Sequence, residues 1–339
     1  MKKAIRLICF CLGAALVLTG CGSKGDYAIK VGDRTVTEND YYRAMLTACS
    51  NHLASDSGAE NTKEYWKSET DSGATLSETL TQVVTDHLIE TKLYAVQFDK
   101  LGLSFTQSEE DTIQSTLSET IESIGGMSAF NAQLASSHYT YEEYLEEVYD
   151  SAKKSKVLSY YYGSDGKEPV DLQDIKDYYN VHHALVKMVY ILKVDKETGE
   201  PLTEAQLRET RQKADDAYAA ALRTGDTDNF ADVIALFSAY PGETDSMVID
   251  ERNTEEKMLG EILALEVGEV TKVETDDCYF IIKRYDGTAD DVFTATVMQS
   301  TLEEIRAQEI GTMLTECQEN TKIKINKKVT KKYIPEKLI

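Results

Sequence analysis

The stretch VKMVYILKV, Val186 to Val194, alternates apolar and polar residues as a half-buried β-strand does, and it seats a tyrosine at its centre. Downstream, a helix opens at Thr203 with Gln206 in the capping-box position and stops at Gly225. DNFADVIALFS then places Phe230, Val233, Ile234 and Phe237 on one helical face. A short helix near Glu255 to Leu265 follows, then a turn at Gly268 and the strands VTKVET and CYFIIKRY, joined through Asp276-Asp277. Strand, three helices and two strands make a mixed α+β unit. A short helix, DLQDIKDYY, precedes it, and composition changes near Pro169, where a second domain starts.

Ahead of that change the chain is nearly all helical. YAIKVGDRTVTENDYYRAML reads as strand, Gly32-Asp33 turn, strand and a helix capped by Thr37 with Asp40 three residues on. Leu76, Leu80, Val83, Val84, His87, Leu88, Ala95 and Phe98 follow helical spacing up to a C-terminal Gly102, which places His87 on the apolar face as a core histidine. Further helices span Ser108 to Ile124, Ser128 to Ala135 and Tyr141 to about Tyr162, with Gly125-Gly126 and Ser136-Ser137 as breaks. After the mixed unit, one helix is expected from Val292 to about Glu319, and then the strand KIKIN.

The first residues carry Lys2, Lys3 and Arg6 before the apolar run Leu7 to Leu18, which is too short to span a bilayer and reads as a secretory signal. It closes on Leu18-Thr19-Gly20-Cys21, which resembles the lipobox of bacterial lipoproteins, in which the cysteine takes a diacylglyceryl group; an ordinary signal peptide with a chance cysteine is the plainer alternative. Loss of residues 1 to 20 removes three positive charges and changes the net charge from −23 to −26 (−23 minus 3), which argues against nucleic acid as a partner. The tail KIKINKKVTKKYIPEKLI runs the other way, with seven lysines against Glu336. Such a run could meet anionic lipid or wall polymer, but the favoured reading is a solvated strand edge whose lysines discourage pairing. Cys49, Cys278 and Cys317 remain in an oxidising compartment, where at most one bridge can form. Cys49 and Cys317, on the two terminal segments, are the best-placed pair, and Cys278 reads as a packing residue. No cysteine or histidine spacing suggests a metal, so none is expected, and no cofactor either. His182-His183 reads as a loop pair, and Tyr160-Tyr161-Tyr162 and Tyr178-Tyr179 as aromatics packing at helix ends.

The mixed domain resembles the parvulin family of peptidyl-prolyl isomerases, and the whole layout is similar to its extracytoplasmic foldase branch, the PrsA- and SurA-like proteins. VYILKV, LRTGDTDNFADVIALFS, LEVGEVTKVET and YFIIKRYDG follow in the family's order. YAIKVGDRTVTENDYY, LIETKLYAVQFDKLGLSFTQSE, TYEEYLEEV and DIKDYY are similar to the branch's opening hairpin, chaperone helices and approach to the isomerase domain. The resemblance implies an α+β fold in which a helical chaperone domain built from both chain ends carries an inserted parvulin-like domain of a small antiparallel sheet plus helices. The expected divisions are a signal peptide at 1–20, a tether at 21–26, the N-terminal helical chaperone domain at 27–180, the parvulin-like domain at 181–287, and at 288–339 a helix and basic strand completing the chaperone domain.

The catalytic places depart from the family pattern. The resemblance implies a histidine in the first strand, an Asp or Cys after the second helix and a histidine in the last strand; these places hold Tyr190, Tyr240 and Phe280. The glycine-rich turn is missing from SAYPGETDSMVIDERN, and the apolar pair of the prolyl pocket maps to Thr254 and Met258. Rotation of an X-Pro bond meets a barrier of ~18–20 kcal/mol, which polar groups must help to lower while the amide is twisted. Tyr190 and Tyr240 can each donate a hydrogen bond and Phe280 cannot. Plain packing is the simplest role for such strand aromatics. The resemblance therefore implies a lipid-anchored, extracytoplasmic folding factor for unfolded or nascent secreted proteins, on the outer face of a bacterial membrane, with isomerase activity weak or lost. The alternatives are an active isomerase using the tyrosines, and a structural or assembly lipoprotein with a borrowed fold.

Overall fold

The computed structural model describes residues 27–338 except 56–58, 71, 224–227 and 243. The signal, the lipobox cysteine Cys21 and the expected helix stop at Gly225 lie outside the described residues. In chain order the elements are β1 (Tyr27–Val31), β2 (Arg34–Thr37), α1 (Glu38–Ser55), α2 (Lys63–Trp66), α3 (Leu76–Lys100), α4 (Gln107–Ile124), α5 (Met127–Ser136), α6 (Tyr141–Tyr162), α7 (Leu172–His182) and β3 (Ala184–Leu192). They continue with α8 (Glu204–Ala221), α9 (Phe230–Phe237), β4 (Met247–Ile249), α10 (Glu256–Leu263), β5 (Val270–Glu274), β6 (Cys278–Tyr285), α11 (Ala295–Ile305), α12 (Ala307–Glu319), β7 (Ile323–Ile325), α13 (Lys327–Thr330) and a 3-10 turn at Pro335–Lys337. Contacts divide the chain into a first unit, Met1–Pro169 with Arg306–Ile339, and a second, Val170–Ile305. Helices with small antiparallel sheets make the fold α+β.

The first unit begins with the β1–β2 hairpin, whose turn holds Gly32 at φ +63°, a left-handed conformation that costs glycine little. Chain end meets chain beginning in this sheet, since the order is β2-β1-β7 with β7 antiparallel to β1. Ala28, Ile29, Val31, Val36, Tyr41, Met45, Trp66, Leu93, Cys317 and Val329 form the core beneath it. Reciprocal side-chain caps start α3 (Thr75 with Glu78), α4 (Thr106 with Glu109) and α6 (Thr140 with Glu143), and Thr37 with Asp40 starts α1 in the same manner.

A buried ion pair ties α3 to α6: Lys92 Nζ donates to Asp150 Oδ2 at 2.8 Å and to Glu146 Oε1, with Lys92 and Asp150 both out of solvent. The neighbouring carboxylates hold the Lys92 ammonium above its ordinary pKa against desolvation by burial, which acts the other way and is the largest influence. A second anchor is Arg43, buried on α1, which donates to Asp40, Glu143 and Glu147 and lies 3.7 Å from the centre of the Tyr139 ring.

Three expectations for these elements need correction. His87 is exposed, and so is Val83, because the buried arc of α3 passes through Val84, Ile89, Lys92 and Leu93 and leaves the 83–87 line of the helix facing water. The single helix from Val292 to Glu319 is two, parted at Arg306 (φ −108°, ψ 18°). No glycine or proline marks the break; it falls where burial changes hands, Leu302 belonging to the second unit and Ile310 and Cys317 to the first. Cys49 and Cys317 share one core but carry separate thiols, the Cys317 Sγ lying 3.6 Å from Lys100 Nζ and 3.8 Å from the Leu93 carbonyl. Cys278 is buried in β6, as a packing residue should be. Burial pushes the Cys49 and Cys278 thiols up to about 11.

The second unit is built on a four-stranded antiparallel sheet of order β4-β3-β6-β5. β3 and β6 pair without interruption from Leu185 opposite Tyr285 to Leu192 opposite Cys278. Both faces are covered. Val189, Ile191, Tyr279 and Ile281 pack with Ala214, Ala217 and Ala221 of α8 and Phe230 and Ile234 of α9. Ala184, Val186, Met188 and Ile282 pack on the other side with Ile249, Val273 and Ile262 of α10. The strand read as half-buried is thus central and buried on both faces, which the apolar run MVYIL permits. β4 lies inside a segment that reads as a loop, since three residues are too few to show alternation.

Arg284 is the unit's internal brace. Buried in β6, it donates to the carbonyls of Leu263 and Leu265 at 2.7 Å each and of Asn180 at 2.9 Å, satisfying the ends of α10 and α7. Desolvation lowers its pKa. Because α7 and α11 lie within the unit, a fragment of residues 170–305 should unfold in one cooperative urea transition, and a shorter fragment of residues 181–287 should show a lower midpoint or none. Equal midpoints would place the boundary at the shorter span.

Candidate functional site

The three sequence-matched positions meet in the second unit. Tyr190 in β3 stands directly opposite Phe280 in β6, with ring centroids 5.6 Å apart and planes at 72°. Tyr240, in the loop after α9, sets its ring edge-on to Tyr190 at 5.6 Å and 85°. These are favourable quadrupolar arrangements. Met258, from α10, joins Tyr190 and Phe280 in one apolar cluster. Thr254 sits in the turn before α10, its hydroxyl donating to Asn253 Oδ1 at 2.9 Å.

The loop carrying Tyr240 is fixed by a residue that sequence reading passed over. Ser238 Oγ accepts from the Tyr190 amide at 3.2 Å and from the Tyr240 amide at 3.1 Å, while the Ala239 amide donates to the Tyr190 carbonyl at 2.7 Å. Lys196 Nζ donates to the Ala239 carbonyl at 2.7 Å and lies 4.4 Å from the centre of the Tyr240 ring. The Tyr190 hydroxyl donates to Met247 Sδ at 3.8 Å, on the edge strand β4. Serine in a loop is too common to have been singled out from sequence; its signal is its place two residues before Tyr240. Chemically the cluster offers two phenols, a phenyl ring and two thioethers, with no carboxylate, thiol or imidazole among its members to relay a proton.

His182 and His183 have different fates. His182 is exposed and stacks on Tyr178 at 4.1 Å. His183 is buried, lies on the Tyr179 ring at 4.9 Å, and places Nε2 2.8 Å from Glu304 and Nδ1 3.5 Å from Asp250. Arg252 completes the group through Asp250 and Glu304, and holds the Asp250 carboxyl below its usual range. This cluster fastens the start of β3 to α11 and the end of β4. Among the described residues no group of histidine, cysteine and acidic side chains is placed to hold a metal.

In the first unit, an open cavity of about 590 Å³ separates α4 from α6. Its apolar wall is Phe105, Ile113, Tyr144, Val148 and Ala152, and its rim is mostly serines and the Lys156–Glu109 ion pair at 2.5 Å. A second cavity, about 560 Å³ and more polar, lies between the ends of α3 and α6 and the helix α12; Tyr161 and Tyr162 line it. Tyr162 is itself buried, and Arg306 lies 5.5 Å from its ring centre.

The chain is similar to PrsA- and SurA-like foldases. The foldase protein PrsA of Streptococcus pneumoniae matches over 91% of this chain and 100% of its own, at 13% identity and a TM-score of 0.30. PrsA of Bacillus subtilis matches over 78% of this chain and 91% of its own, at 19% identity and a TM-score of 0.25. One of two structurally related SurA-like chaperones of Campylobacter jejuni matches over 88% and 98%, at 13% identity and a TM-score of 0.28. No family model and no curated protein matches the chain.

If the aromatic triangle is packing, its rings should stabilise the second unit jointly. Tyr190→Ala and Phe280→Ala should each cost about 2–3 kcal/mol, below the full cost for a buried ring because both are half-exposed. The double variant should cost about 0.5–1.5 kcal/mol less than the sum, as read from urea midpoints of the four chains of the cycle.

Proposed function

We propose that this protein is a folding factor that binds unfolded secreted chains transiently through its helical unit, is held to the outer face of a bacterial membrane by a lipid on Cys21, and carries a parvulin-like domain with little or no isomerase activity. The observation that carries the chaperone reading is the α4–α6 groove, about 590 Å³, apolar on its wall and hydroxyl-rich at its rim. Such a site takes many sequences weakly. The exchange of acid-base positions for Tyr190, Tyr240 and Phe280 supports the loss of catalysis, because electrostatic help to a rotating amide requires polar groups aimed at it, and the Tyr190 hydroxyl is turned to a methionine sulfur. The LTGC sequence after a short apolar run supports the anchor. No described helix is long and apolar enough to cross a membrane.

An aggregation assay with an unfolded client tests the groove. The mature chain should delay aggregation, and Ala152→Lys, which puts a charge on the apolar wall without touching the buried core, should lower the delay severalfold. The same chain in a protease-coupled proline-isomer assay should give a rate near the uncatalysed one, and Tyr190→His alone should not raise it, because groups that act as a unit are not restored singly. A fast rate from the unmodified chain would make the tyrosines catalytic candidates. Separately, Cys21→Ala should release the protein from the membrane fraction, since stable anchoring requires both chains of a diacylglyceryl group; undiminished retention would rule the anchor out.

A further inference from the structure

We propose that the lysine-rich edge formed by β7 and α13 is a docking surface for an anionic phospholipid bilayer, an inference that rests on the lipid anchor proposed at Cys21. The chain as a whole is strongly acidic, yet Lys322, Lys324, Lys327, Lys328 and Lys331 are all exposed and none forms an ion pair among the described residues. Glu319, three residues before Lys322, forms no ion pair with it among the described residues, and two further carboxylates of the region are engaged elsewhere. Glu38 accepts from Lys332 Nζ at 2.8 Å and from the Tyr333 hydroxyl at 2.6 Å, and Glu336 accepts from Ser77.

The sheet register sharpens the case. Lys30 of β1 is the direct cross-strand partner of Lys324 of β7, a like-charge pair in which neither lysine forms an ion pair among the described residues. The Lys30 ammonium lies over the face of Tyr27, 4.8 Å from the ring centre. Edge protection alone needs lysine on the outer strand; it gives no reason for a second one facing it. A negatively charged surface removes the conflict.

Topology then says which surface. The Asn326 amide donates to the Ala28 carbonyl, so the start of β1 lies against the junction of β7 and α13. Cys21 is six residues before Tyr27, and even a fully extended connection of that length reaches only about 20 Å. A lipid on Cys21 therefore keeps this edge within about 20 Å of the headgroups. Close to an anionic leaflet, exposed lysines gain attraction that fades within about 8 Å at physiological salt. Chain end and chain beginning become one attachment, covalent at the lipid and electrostatic at the lysines.

The test uses the full mature chain carrying Cys21→Ala, so that partitioning reports the protein surface alone, sedimented with phosphatidylcholine vesicles with or without about one third phosphatidylglycerol. Charge bookkeeping over the whole chain dictates exclusion from the anionic vesicles. The proposal expects about tenfold more protein on them than on neutral ones at low salt, falling to the neutral level near 0.5 M salt and in the variant with Gln at 322, 324, 327, 328 and 331. A control with Lys213→Gln and Lys257→Gln, exposed lysines of the second unit, should bind as the parent does. Exclusion, binding indifferent to the five substitutions, or an equal loss in the control would overturn the proposal. So would retention by soluble polyphosphate without vesicle binding, which would assign the edge to a wall polymer, or self-association of the five-fold variant at unchanged partitioning, which would leave the lysines as guards of the strand edge. Whether Cys21 carries lipid is read independently, from the mass of the N-terminal peptide, and its failure leaves the vesicle result standing.

Discussion

The eight-residue ladder between β3 and β6 is the constraint on which the second unit depends. With helices on both faces, the residues of these strands that are fully buried must be apolar or internally satisfied, whichever way they point. Arg284 shows what satisfaction requires at the one place where a guanidinium goes inside: three carbonyls from two helix ends converge on it. Tyr190 and Phe280 sit where the ladder faces α10, and the loop carrying Tyr240 closes on them through Ser238. The site is therefore a consequence of how the sheet is covered. Its geometry comes from packing aromatic rings and from backbone hydrogen bonds to one hydroxyl.

The first unit depends on different forces. Beside its apolar core, buried charge pairs at Lys92–Asp150 and Arg43–Glu143 tie α3 and α1 to α6. Removing one partner of such a pair strands a charge in the interior, whereas apolar residues of similar volume could replace both. The fold pins α6 to α3 by these contacts on one side and leaves its opposite side, toward α4, open as the groove.

What the sequence disclosed were features encoded locally. Thr37 with Asp40 and Thr203 with Gln206 announce helix starts because each cap is complete within four residues. Gly32, Gly102 and Gly125-Gly126 mark turns and ends because their positive φ suits glycine, and β3, β5 and β6 show in their apolar residues. Features set by distant partners stayed hidden. The break at Arg306 has no local breaker, β4 is a strand only because β3 accepts it, and the exposure of His87 follows from which arc of α3 meets α1 and α6. For the site, the resemblance named Tyr190, Tyr240 and Phe280, and the structure brings all three together. It gave Ser238 no role, and did not place His183 between Glu304 and Asp250, because those roles exist only after residues 48 to 121 positions apart have met.

The aromatic triangle has a consequence for what this domain is free to become. A working acid-base centre keeps polar groups apart from their preferred partners, and sequences that maintain one forgo some stability for it. Rings that pack edge-to-face, with their loop amides satisfied by Ser238, carry no such obligation. On the proposed reading, substitutions that tighten this region cost no turnover, which leaves the domain free to drift toward rigidity as a stiff module set between two stretches of one chain.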